Sequence, residues 1–320
     1  MAKPTGKPRV TGYHIITSEM LETLELLARY KYLRSSFIEQ LLGVDKRAMN
    51  YRLQLRREQG YVYKPKEQRR GYNSLHSPRI HAITKKGEQV LIDHDRHPLR
   101  VTQLDRKPSY WPARNFTHSM MICDVLASIE IGLKGTGCRL IPWTEIIERA
   151  TVDDPVRLPF SFTYEGRNVT GKLVPDGLFG IQYPDGKASF FALETEHGQP
   201  LTRSHFNSGS TKKKLLAYKA IIDAKTYQQT GAPNLRVLFV APTRVRSENM
   251  AALAVDLFNT TTNFLFHDVP VQEILLDAPP PFPNLVTSHW MRAGYDAIPL
   301  YSEVSDVPKT QKPTQARQVD

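Results

Sequence analysis

The sequence predicts a mixed α/β chain, α+β in arrangement, with a small helical head followed by a larger body built on a sheet. Three observations predict it. Residues 1–100 carry 20 lysines and arginines against 10 acids, whereas the rest carries 23 against 22, so nearly all of the net charge of +11 sits in the head. The head also holds three short amphipathic runs, the second ended by Gly43 and the third by Gly60, as expected of helices joined by tight turns. The body holds β-rich runs around Pro184-Asp185-Gly186 and an almost wholly apolar stretch, 235–240, as expected of a strand buried on both faces.

Residues 1–16 are basic and contain proline and glycine, which predicts a flexible arm. A helix is expected over 19–30, with Thr17 and Ser18 as cap candidates and Leu21, Leu24 and Leu27 as its buried stripe. Ser35 and Ser36 open a second helix over 37–42, ended by Gly43, and Asp45 caps a third over 46–59, ended by Gly60. Two β-rich pieces follow, 61–64 and 79–83, around a basic loop with Lys66, Arg69, Arg70 and Tyr72; Thr84 then caps a helix over 85–92. Helix, turn, helix, basic hairpin and helix is the order of a winged helix-turn-helix, which sets this domain at 17–92. In such modules the third helix enters the major groove. Lys46, Arg47, Asn50 and Gln54 share one face of it, opposite Met49 and Leu53, and are the expected DNA-binding residues, with Arg69 and Arg70 reaching from the wing. The alternative is a solvated basic face on a protein-interaction module.

Residues 93–114 lack periodicity and are expected to be a linker, in which His94 and His97 are solvated rather than metal-bound. From Asn115 the run NFTHSMMICDVLASIEIGL predicts a long, largely buried helix. A short strand at 139–142, a helical turn at 144–149 and a strand at 158–164 precede a turn at 165–168 into a long strand, 169–182. The Pro-Asp-Gly turn sends the chain back as 188–196. A helix after Thr211, the strand 235–240, a helix at 248–258 and a strand at 263–267 complete a body domain over 115–278. Residues 279–320 are expected to be a proline-rich, disordered tail.

Side chains two apart on a strand share a face, so Glu194 and Glu196 point one way and Phe191, Leu193 and Thr195 the other. Asp176 comes from the neighbouring strand. Three carboxylates on paired strands can converge on a hard divalent cation, Mg²⁺ or Mn²⁺. Pro175-Asp176 followed eighteen positions later by Glu194-Thr195-Glu196 resembles the PD-(D/E)XK nuclease pattern, an Asp on one strand and an acid-x-Lys triplet on the next. Glu196 stands where that pattern has lysine. In this superfamily the lysine can come from a nearby helix, and the resemblance implies that role for Lys214, which shares a helical face with Tyr218 in TKKKLLAYKAIIDAKTY. It also implies a restriction-endonuclease-like mixed-sheet domain that cleaves phosphodiesters. Asp176, Glu194 and Glu196 would be its metal ligands, and a lysine would stabilise developing charge. Without the resemblance, the same residues are an acidic hairpin with solvated carboxylates.

Further motifs follow in order: Ile83-Thr84-Lys85-Lys86-Gly87, Thr117-His118, Trp143-Thr144-Glu145, Pro175-Asp176-Gly177, the run 191–198, and Lys214 with Tyr218. In that order they resemble the replication-relaxation family of plasmid and mobile-element proteins, over residues 17–245. That family looks related to plasmid mobilisation relaxases, which nick an origin of transfer at a metal-dependent nuclease-like site. The resemblance implies that Glu145 completes the metal shell as a further catalytic residue. It carries His118 over as well, although a lone histidine at a helix start is more often a hydrogen-bonded structural residue.

Other chemistries lack their motifs. There is no His-apolar-His motif of the tyrosine relaxases, no G-x-x-x-x-G-K-[ST] loop and no G-x-S-x-G elbow, and nothing singles out a nucleophile among the tyrosines. No run of eighteen apolar residues occurs, the first residues lack an apolar core, and Cys123 and Cys138 are isolated, so a bacterial cytoplasmic location without a membrane is expected. The leading expectation is a DNA-binding, metal-dependent nickase, relaxase-like, acting in plasmid mobilisation or replication. Its partners would be double-stranded DNA at an origin-like site and other mobilisation or replication proteins, with a homodimer as candidate assembly. The alternative is a non-catalytic winged-helix DNA-binding protein that controls replication or transcription from a degenerate nuclease-like scaffold; Glu196 in place of lysine favours it.

Overall fold

The computed structural model describes residues 15–69, 79–102, 104, 107–110, 115–196, 210–269 and 281–302. The head comprises α1 (Ser18–Tyr30), β1 (Leu33–Arg34), α2 (Ser35–Leu42), α3 (Lys46–Glu58), β2 (Val62–Tyr63), β3 (Ile80–Ile83) and α4 (Lys85–Asp93). Local chemistry starts and stops these helices. The Thr17 hydroxyl accepts from the Met20 amide, Asp45 accepts from the amides of Arg47 and Ala48, and Thr84 accepts from Gly87. Gly43 ends α2 in the left-handed conformation, φ 67°. The three short strands form an antiparallel sheet in the order β1-β3-β2, against which α4 packs closely. A Cβ on Gly87 would lie 2.4 Å from the Tyr61 carbonyl oxygen, so only glycine allows α4 this approach.

The body comprises α5 (Phe116–Leu133), β4 (Arg139–Pro142), α6 (Trp143–Ile146), β5 (Leu158–Tyr164), β6 (Arg167–Leu173), β7 (Gly177–Gln182), β8 (Ala188–Thr195), α7 (Thr211–Asp223), β9 (Arg236–Ala241), α8 (Arg244–Phe258), β10 (Thr261–Asp268), β11 (Trp290–Ala293) and β12 (Tyr295–Ile298). Seven strands make one mixed sheet in the order β12-β11-β10-β9-β8-β7-β4, with β8, β9 and β10 parallel and the other pairs antiparallel. Alternation sorts the strand side chains onto two cores. Phe179, Phe191, Leu193, Leu238, Val240 and Leu265 face α5, and Leu178, Ala192, Val237, Phe239, Phe264 and Phe266 face α7 and α8. The result is a three-layer body with the helical head on the α5 side. β5 and β6 form a separate hairpin against α7.

Three expectations change. The long strand expected over 169–182 is two strands in different sheets, β6 and β7, separated by 174–176. Pro175 has no N–H to give a ladder, so regular pairing stops there. The segment expected as a linker is a packed strap where described. Val101 is fully buried and Leu104 nearly so, the Val101 amide donates to the Arg29 carbonyl, and the hydroxyls of Thr102 and Ser109 donate to the carbonyls of Tyr30 and Ala28. Finally, residues placed in a disordered tail supply β11 and β12, with Trp290 fully buried.

Head and body share one hydrophobic cluster, and α5 carries the polar ties between them. Asp124 receives Arg34 in a fork, Nε to Oδ1 at 3.1 Å and Nη2 to Oδ2 at 2.9 Å, with both residues buried. Glu130 receives Arg29 and the Tyr30 hydroxyl. Lys134, just past α5, donates to the carbonyls of Gln40 and Leu41 at the end of α2. Among the described helices α5 alone is long and apolar enough to cross a membrane, and 67% of it is buried inside the fold.

Candidate functional site

The site lies where β8 ends beside β9. Thr195 is the last residue of β8, and the Glu196 amide still donates to the Val240 carbonyl at 2.8 Å, which fixes both glutamates against the sheet. Glu194 sits on the α7 face with Ala192, and Thr195 sits on the α5 face with Leu193. Asp176 closes the loop into β7, opposite that end of β8, because Gly177 pairs with Leu193.

Two sets of partners meet there. On one side Lys214 of α7 bridges the glutamates, with Nζ 2.6 Å from Glu194 Oε2 and 3.3 Å from Glu196 Oε1. The Tyr218 hydroxyl, one turn further along α7, donates to Glu194 Oε1 at 2.5 Å. Arg246 of α8 reaches Glu196 Oε2 at 3.5 Å. On the other side Asp176 Oδ2 accepts from the Thr195 amide at 2.8 Å and from its hydroxyl at 3.1 Å, while Asp176 Oδ1 meets His118 Nε2 at 3.0 Å. His118 stands in the first turn of α5, which Asn115 caps. Its Nδ1 lies 3.3 Å from the Thr195 hydroxyl. The Thr195 hydroxyl thus bridges the two side chains, and His118 Nε2 is placed to donate to the Asp176 carboxylate.

The hydrogen bond to Asp176 holds His118 above its ordinary value, although burial opposes it. Burial alone would push Asp176 up, but the bond from His118 and the Lys214 charge outweigh it and hold the carboxyl below the usual range. Glu194 differs: burial pushes it up to about 7 in spite of Lys214, and the Asp176 charge pushes the same way. Burial would lower Lys214, yet the charges of Glu194, Asp176 and Glu196 together drive it upward, so the ammonium is permanent. Tyr218 is raised by burial and by Glu194, and stays a neutral donor.

The arrangement therefore gathers Asp176, Glu194, Glu196 and Lys214 at one strand end, with Asp176 held from the α5 side and the glutamates from the α7 side. Glu145 is not brought in. Its carboxylate takes a fork from Arg139 at 2.7 and 2.8 Å, and Arg139 pairs with Gln182 at the opposite end of β7 from Asp176. Among the described residues no three His, Cys, Asp or Glu side chains form a metal-holding group, and the Lys214 ammonium lies between the glutamates. The donor chemistry nonetheless suits a hard cation. All the acceptors are carboxylate oxygens, and Glu196 Oε2 is buried with no hydrogen bond among the described residues.

In the head, Lys46, Arg47, Asn50 and Gln54 are all exposed on α3, Gln54 being tied to Glu58 at 3.0 Å. Tyr51 joins them, 69% exposed, an aromatic that charge counting overlooks. Arg52 and Arg56, also on α3, turn to Glu19 instead. Arg69 ends a short helical turn, and Arg70 lies outside the described residues.

The sequence profile of the replication-relaxation family matches residues 24–235, from α1 to the threshold of β9. The chain belongs to the replication-relaxation family. Neither a curated protein nor a solved structure matches it. Membership points to a role in plasmid replication or mobilisation, and the matched stretch contains the α3 face, His118, Asp176, Glu194, Glu196 and Lys214. Arg246 lies beyond it. Sequence reasoning missed Arg246 because it comes from α8, fifty positions after Glu196, with no spacing signal. It missed the Thr195 bond to Asp176 because alternation shows only that Thr195 faces away from the glutamates.

Proposed function

We propose that this replication-relaxation protein is a DNA-binding, metal-dependent nickase, relaxase-like, that acts on double-stranded DNA at an origin-like site in the bacterial cytoplasm. The observation that carries the reading is Lys214 within 2.6 Å of Glu194 and 3.3 Å of Glu196. A lysine from the following helix reaches the acid-x-acid triplet, as in a PD-(D/E)XK site whose lysine has moved. Asp176, Glu194 and Glu196 would hold Mg²⁺ or Mn²⁺, which when bound would supply an activated water and neutralise phosphate charge. Lys214 would then be released toward the scissile phosphate, where a fixed cation stabilises developing negative charge. His118 and Thr195 keep Asp176 ionised and aimed. The order of elements in the head is that of a winged helix, with Lys46, Arg47, Asn50 and Gln54 offered to the major groove and Arg69 and Arg70 to the backbone. Other mobilisation or replication proteins and a second copy of the chain are the partners this role calls for.

A second reading has its own support: Lys214 already closes the two glutamates, which suits a stable scaffold without chemistry, and the head would act alone in replication or transcription control. Supercoiled plasmid incubated with protein and Mn²⁺, with and without EDTA, separates the two. The nickase reading expects EDTA-sensitive relaxation that Asp176→Ala abolishes while DNA affinity stays within about twofold. Relaxation retained in that variant would overturn the assignment of the site. DNA binding without relaxation by the natural protein would establish the second reading.

A further inference from the structure

A second basic feature of the head lies at the C-terminal end of α3. Arg57 in the last turn of α3, Lys64 just after β2 and Arg79 just before β3 converge with Tyr63 and Gln68 around a cavity of about 390 Å³. The cavity has a built floor. Gln68 is buried, its amide nitrogen donates to the carbonyls of Pro65 and Ile80 at 3.1 and 2.9 Å, and its oxygen accepts from the Ile80 amide at 3.0 Å. One side chain thus completes the strand pairing and pins the 66–69 turn to β3. Among the described residues no carboxylate forms an ion pair with Arg57 or Arg79, unlike Arg29, Arg34, Arg52 and Arg56 elsewhere in the head.

Beside the cavity His81 is 3% exposed, and its Nδ1 has no hydrogen-bond partner among the described residues. Burial and then the charges of Lys64, Arg57 and Arg79 push this histidine down to about 3, so it is neutral and contributes an acceptor or a donor but no charge. The same three cations that line the cavity dominate the field at His81. Their charge is concentrated on one spot rather than spread over a solvated face.

We propose that this pocket binds one phosphate group of the DNA backbone at the base of the hairpin between β2 and β3. The inference rests on the DNA-binding reading of the head and adds a contact residue set to it. Two guanidinium forks suit the oxygens of a phosphate. The pocket lies in the size range of small-ligand sites, so a free phosphate compound shares the chemistry, and the experiment must tell the two sources apart.

The test measures affinity for duplex DNA from 50 to 200 mM salt for the natural chain, Arg57→Gln/Arg79→Gln and Arg79→Lys. Inorganic phosphate is titrated in parallel and read by the side-chain Nε–H resonances of the arginines. Each phosphate contact contributes about −0.9 to the slope of log affinity against log salt. The double variant is expected to lose about one unit of slope and about tenfold in affinity, equally on every sequence, with unchanged thermal unfolding. Arg79→Lys retains most of the slope. An unchanged slope in the double variant overturns the proposal, and phosphate shifting the arginine resonances in that case would assign the pocket to a small phosphate compound. Absence of DNA binding by the natural chain overturns the parent reading together with this one, a result distinct from a bound complex with an unaltered slope.

Discussion

Two buried charge clusters flank the same helix, α5, and balance their charges differently. At the head–body joint one arginine meets one aspartate: Arg34 and Asp124 face each other through a fork, both almost wholly out of water. At the strand end one lysine serves two glutamates, an arginine stands 3.5 Å from the leftover oxygen, and Glu194 is pushed up to about 7. A cluster that only holds a fold together can be matched group for group. A cluster with more carboxylate oxygens than hydrogen bonds, and a proton affinity near neutrality, retains capacity for another cation or a proton. Perturbed groups of this kind gather at functional sites more than at structural ones.

The largest effect should come from the joint. Asp124→Ala removes the carboxylate that the buried Arg34 guanidinium forks onto and should cost about 3–5 kcal/mol in denaturant unfolding. Acid should bring no recovery, since arginine keeps its proton. A loss below about 1 kcal/mol would show that water reaches Arg34 and would dissolve the contrast.

Next comes Lys214→Met. It strands two glutamates and should cost a comparable amount at pH 8 and abolish nicking, but here acid should help. Glu194 has a pKa of 4.5 when free and about 7 in the fold, so between those values the folded chain holds a proton that the unfolded chain has lost. Stability from this group therefore increases as pH falls through that window, by at most about 1.4 kcal/mol per pH unit. Removing Lys214 raises the affinity of Glu194 for that proton still further, so the variant should regain more than the natural chain between pH 8 and 5.5, and adding Glu194→Gln should flatten the profile. Parallel pH curves for the variant and the natural chain would remove Glu194 from the argument.

The smallest effect belongs to Glu145. Its fork with Arg139 is partly exposed, 29% and 52%, and such pairs contribute less than about 1 kcal/mol. Glu145→Ala should leave both stability and nicking nearly unchanged. A hundredfold loss of nicking would mean that this carboxylate travels to the strand end in the working complex.

How far these features could be read from sequence depends on how local their causes are. The helices of the head were legible because each is started and stopped within a few residues, as Asp45 is by its bonds to the next amides and Gly43 by its backbone angle. Alternation placed Glu194 on the face opposite Leu193 and Thr195, but Asp176, expected on a neighbouring strand, lies in the loop before β7 and bonds Thr195, which spacing alone does not show. The described part of the strap was not, because Val101 and Leu104 are isolated apolar residues: Val101 is held by its amide bond to the Arg29 carbonyl, seventy-two positions earlier, and Leu104 by the body core. The four-residue strands β11 and β12 were hidden by proline-rich and polar surroundings. The break before β7 followed from Pro175, whose missing donor outweighs the β-rich residues on either side.

The helix α5 presents His118 near its start and Asp124 and Glu130 further along, so one rigid rod touches both the candidate cleavage centre and the recognition head. If the chain nicks DNA as proposed, this helix would make it a ruler, and protein geometry would set the interval from bound motif to nicked bond, counted in base pairs. Half a turn of inserted duplex, about 5 base pairs, would carry the scissile phosphate round to the far side of the double helix, beyond reach.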